Sequence, residues 1–113
     1  MKIVTDKITL QELKEMSQRM FGNLVKAVVD VAKGVMAVDA ELHVDEEVLL
    51  LENGSKQEHL WGINIHPEEK GERFIEFDSM INLRPAHGNR SRGIDDLGLQ
   101  KKIITVVNKL VVK

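Results

Sequence analysis

Val25-Lys26-Ala27-Val28-Val29-Asp30-Val31 and, beyond Lys33-Gly34, Met36-Ala37-Val38-Asp39-Ala40-Glu41-Leu42-His43-Val44 share a period of two. Val25, Ala27, Val29 and Val31 alternate with Lys26, Val28 and Asp30. Met36, Val38, Ala40, Leu42 and Val44 alternate with Ala37, Asp39, Glu41, His43 and Asp45. Such alternation is the mark of extended chain, and two runs about a glycine turn predict a β-hairpin.

Before the hairpin the period is helical. Thr9 and Glu12 form a capping box, Leu10, Leu13, Met16 or Met20, and Phe21 recur at helical spacing, and Gly22 closes the helix. Lys2-Ile3-Val4 is a short strand candidate. After the hairpin, Asp45, Glu46 and Glu47 suit the first turn of a second helix, which Asn53-Gly54 ends. Trp61, Ile63 and Ile65 then alternate with Leu60, Gly62, Asn64 and His66, and Pro67 stops the strand. Residues 74–84 alternate again: Ile75, Phe77, Ile81 and Leu83 on a buried face, Glu76, Asp78, Asn82 and Arg84 on an open one. Asp95 or Asp96 caps a last helix with a Leu99, Ile103, Val106 or Val107, and Leu110 stripe.

The predicted order is α-β-β-α-β-β-α. It gives an α+β protein with a four-stranded, mainly antiparallel sheet, Lys2-Ile3-Val4 being a candidate fifth strand, and helices on one face. Residues 1–113 have room for one domain. No repeat or linker divides them.

Composition excludes several chemistries. Without cysteine there is no disulfide, thiolate nucleophile or cysteine-ligated metal. No run approaches the length of a membrane span, and the start is not a secretory signal. A cytoplasmic address is expected. P-loop, dinucleotide and nucleophile-elbow patterns are missing, and the four histidines lack zinc-protease spacing. The identity of any cofactor is left unknown by the sequence.

The net charge of −2 conceals an uneven distribution. Residues 1–38 carry six Lys/Arg against four acids, residues 39–78 three against twelve, and residues 79–113 seven against two. No acid occurs from 79 to 94, where Arg84-Pro85-Ala86-His87-Gly88-Asn89-Arg90-Ser91-Arg92-Gly93 lies. Arginine forks match phosphate and carboxylate, and a helix start follows. Arg84, His87, Asn89, Arg90, Ser91 and Arg92 are therefore the candidate ligand-binding residues. Against this, Asp95 and Asp96 can occupy the helix end themselves, and a solvated connector has the same composition. The polar sheet face, with Asp39, Glu41, His43, Asn64, His66, Glu76 and Asp78, suits a divalent cation or acid–base pair. Ordinary alternation explains it equally, so no metal site is assigned. Trp61 is read as core.

Leu60-Trp61-Gly62-Ile63-Asn64, the run from Phe74-Ile75-Glu76-Phe77-Asp78 through Leu83-Arg84-Pro85, and Gly88-Asn89-Arg90-Ser91-Arg92 resemble a small prokaryotic family of stand-alone proteins of unknown function. Arg-Pro-x-x-Gly-Asn-x-Ser-Arg is its most specific element. The resemblance implies a bacterial or archaeal cytosolic protein and brings no catalytic residue, substrate or cofactor.

Three functions follow. The first is binding of a phosphate-bearing ligand, RNA or a nucleotide, through the Arg-rich loop. The second is a small hydrolase or toxin-type nuclease, with His87 as acid/base, the arginines stabilising charge and Glu76 or Asp78 as partner base. The third is a non-enzymatic, self-assembling protein, a homo-oligomer joined through acidic and basic surfaces, which an exposed apolar patch would favour.

Overall fold

The computed structural model describes residues 1–113. Strand β1 (Lys2–Val4) and the two-residue β2 (Ile8–Thr9) lead into helix α1 (Leu10–Arg19). The Thr9–Glu12 capping box is formed in both directions. Strands β3 (Val25–Asp30) and β4 (Val35–Val38) make the expected hairpin, with Asp30 paired to Val35 at its turn. Helix α2 (His43–Glu52) follows, then strands β5 (Leu60–Ile65) and β6 (Ile75–Glu76), helix α3 (Leu97–Leu110) and β7 (Val111–Val112).

The main sheet has five strands in the order β1-β4-β3-β5-β6, all neighbours antiparallel. It exceeds the four-stranded expectation because β1 pairs along β4, Lys2 facing Val38. A second pairing leaves no mark in the sequence pattern: β2 and β7 run parallel and tie the start of α1 to the end of α3.

The helices do not share one face. Val4, Ala27, Val29, Met36, Trp61, Ile63 and Ile65 form the large core with Leu13 and Met16 of α1 and Ile103, Val106, Val107 and Leu110 of α3. On the opposite face Val28, Ala37 and Leu60 pack with Leu50 of α2. Val28 and Ala37 were the sequence signal for this second layer, since apolar residues on the polar side of a strand need cover.

Two predicted strands are shorter than their alternation. The second hairpin strand ends at Val38, because Asp39 turns into the left-handed region with φ +72, which aspartate tolerates better than most residues. His43 therefore begins a helix instead of continuing a sheet face, and Glu41 lies in the connection. Residues 74–84 form a strand only at Ile75–Glu76. Beyond it Ser79 Oγ accepts from Ile81 N and starts a 3-10 turn at Met80–Asn82. The burial expected for this segment changes accordingly. Ile75 is buried, Phe77 and Ile81 are half-buried and Leu83 is exposed. In the set expected to be open, Asn82 is fully buried and Asp78 and Arg84 are partly so.

Candidate functional site

The turn at Met80–Asn82 crosses β5 at Gly62. A Cβ on Gly62 would stand 2.6 Å from Ser79 Cβ and Oγ, so only glycine permits this approach. Asn82 then replaces a neighbouring strand. Its Oδ1 accepts from Gly62 N at 2.8 Å and its Nδ2 donates to Gly62 O at 2.9 Å. Nδ2 also donates to Arg92 O at 3.0 Å, joining both ends of the Arg-rich loop.

Within that loop Arg84 and Asn89 pair through their main chains, with a 3-10 turn at Pro85–His87 and left-handed Gly88 at the tip. Asn89 is buried, and its amide is fully engaged inside the loop. Nδ2 donates to Asn82 O, Ser91 O and Gly93 O, and Oδ1 accepts from Asp95 N. Asp95 accepts from Arg90 N and from Ser91 Oγ. The backbone and side-chain hydrogen bonds of this fixed loop hold the Asp95 carboxyl below its usual range.

The arginines divide. Arg84 turns inward: Nε donates to Ile81 O at 3.0 Å and Nη2 to Leu60 O at 2.6 Å. Its guanidinium lies 4.5 Å from the Trp61 ring centroid and 3.5 Å from Glu47. Its Nη1 is buried without a hydrogen-bond partner. Arg92 pairs with Asp78 at 2.7 Å on the exposed surface. The side chains of His87 and Arg90 are exposed and make no hydrogen bond or ion pair.

Arg84 and His87 share a cleft of about 430 Å³ with Lys56, Gln57 and Glu58. No apolar residue lines it. The 56–58 segment belongs there because Leu60, which follows it, is fastened to Arg84. That tertiary bond left no local trace, so the sequence did not mark Lys56, Gln57 or Glu58. A wider groove of about 1130 Å³ lies among α1, α3 and residues 67–77, over Leu10, Phe74, Phe77, Ile104 and Val111. None of the candidate residues lines it.

The other candidates lie on the α2 face of the sheet. Glu76 accepts from Asn64 Nδ2 at 3.0 Å and lies 3.1 Å from His66 Nε2. Asn64 first and His66 second hold its carboxyl below the usual range. Neither Glu76 nor Asp78 lines the cleft that contains His87. His43 reaches Ile63 O with Nε2 at 2.7 Å, and burial pushes its pKa down. No three His, Asp or Glu side chains gather as a metal ion would require. No helix is long and apolar enough to cross a membrane.

Residues 2–110 match a family of proteins of unknown function, DUF5674. The chain belongs to that family. No curated protein and no solved structure matches it.

Helix α2 of this DUF5674 protein also contains what sequence reasoning missed. Glu46 and Glu47, read only as first-turn acids of the helix, are buried. Glu46 Oε2 accepts from Ala40 N at 3.2 Å, while Oε1 has no partner. Burial raises its pKa to about 10, so it is protonated at neutral pH.

Proposed function

We propose that the protein binds a phosphate-bearing ligand, a nucleotide or RNA, in the cleft beside the Arg-rich loop. The observation that supports this is the convergence of Lys56, Arg84 and His87 in one polar cleft. Arg84 contributes as a fixed charge in the wall, since its Nε and Nη2 are occupied by carbonyls. Lys56 and His87 make the contacts, and the exposed Arg90 extends the site along the loop. Asn89 acts by holding the loop in shape, because its amide NH2 is taken up by loop carbonyls.

Hydrolysis is the second reading, and Glu58 is the observation for it: it is the carboxylate that lines the cleft with His87. In that reading Glu58 takes the place of Glu76 and Asp78 as partner base.

Calorimetry against inorganic phosphate, a nucleotide panel and short RNAs tests the proposal, with the Lys56→Ala/His87→Ala protein as control. Binding should be lost in that variant and should weaken as salt rises. No binding across the panel, or equal binding by the variant, overturns the assignment. Release of product from the same samples separates turnover from binding.

A further inference from the structure

Helix α2 is oriented against its composition. It turns His43, Glu46, Glu47 and Leu50 inward, and leaves Val44, Val48 and Leu51 exposed by 46%, 47% and 39%. These three lie at i, i+4 and i+7, one stripe of the helix. Leu42 at its N-cap is 53% exposed. The turn at Met80–Asn82 packs beside α2, and here Met80 and Leu83 are 61% and 42% exposed. Exposed apolar groups gathered in this way match the largest patch of a typical monomer, and such patches are often functional.

We infer that this face is a homodimer interface in which α2 packs antiparallel on α2 of a second copy, about a two-fold axis near Val48. A two-fold interface must complement itself. The stripe does so, because Val48 meets its own equivalent and Val44 meets Leu51 of the partner subunit. Antiparallel helices also align opposite dipole ends. The two ends of the helix also differ in charge. Exposed Glu41 and Asp45 flank the N-terminal end. At the C-terminal end Lys33, whose Nζ donates to Asn53 O at 3.1 Å, and Lys56 balance the acids Glu52 and Glu58, so the excess of acid lies at the N-terminal end alone.

Area supports a second copy as the occupant. A standard interface buries about 800 Å² per partner, and in homodimers roughly two-thirds of it is apolar. The six side chains expose on the order of 500 Å², close to that apolar share without help from any other element.

Analytical ultracentrifugation of the full chain from micromolar to sub-millimolar concentration should give twice the chain mass of 12.8 kDa. Val48→Glu should return it to one chain mass with an unchanged circular dichroism spectrum. A second measurement does not depend on that variant folding. The chain lacks cysteine, so Val48→Cys under mild oxidation should cross-link far faster than Gln11→Cys, a control at an exposed position on α1. A wild-type monomer at all concentrations overturns the inference, including the case where the face serves a different protein. So does a Val48→Glu dimer, or equal cross-linking of the two cysteine variants. Phosphate binding in the cleft is read separately, so either proposal can fail without the other.

Discussion

Replacing Glu46 with Gln should stabilise the protein, and the gain should depend on pH in a defined direction. Glu46 is fully buried and its pKa is raised from 4.5 to about 10, with desolvation the main cause. The folded state therefore keeps a proton that the unfolded chain releases above pH 4.5. Stability must fall as pH rises between these two values, at about 1.4 kcal/mol per pH unit. At pH 7 the accumulated cost is about 3 kcal/mol, set by the distance from the unfolded pKa and insensitive to the folded value while that stays well above 7. Glutamine keeps the shape and the acceptor for Ala40 N, and carries no proton to retain. Its second amide proton lacks a partner, which offsets about 1 kcal/mol. The net gain at pH 7 is about 2 kcal/mol, vanishing near pH 5 and growing toward pH 9. Urea denaturation at several pH values, followed by fluorescence of the single, buried Trp61, measures it. A difference between the two proteins that stays flat with pH would show that Glu46 is ionised and solvated in the folded state.

Asn89→Ala should cost about 3 kcal/mol or more, because it strands Asp95 N and several loop carbonyls at once. Arg90→Ala, on the next residue, should stay within about 0.5 kcal/mol; denaturation midpoints compare the two. Gly62→Ala should cost about 1–3 kcal/mol by pushing Ser79 off β5, with loss of amide protection at Gly62 and Asn82 as its signature in hydrogen exchange. Phe77→Ala should cost about 1–2 kcal/mol in the same denaturation assay, since a half-buried ring loses less than the full 3–5 kcal/mol of a central one.

The elements legible in the sequence are those whose signal is local. The Thr9–Glu12 box, the hairpin about Lys33-Gly34, the β5 alternation and the Asp96 cap each depend on residues within a few positions, where steric preference and hydrogen-bond reach are short-ranged. Alternation also identified Ile63, Ile65 and Ile75 as core. It could not show where a strand stops for the sake of a distant partner. Asn82 and Arg84 occupy outward places in the period-2 pattern of residues 74–84, yet both turn in, because Gly62 and Leu60 offer main-chain groups that no further strand takes up. The same long-range bonds draw Lys56 toward His87 and gather a cleft from segments with no sequence relation. For α2 the composition alone suggests acids out and valines in. The tertiary structure reverses this, since Arg84 supplies a partner for Glu47, the sheet covers Glu46, and the apolar stripe is left facing outward.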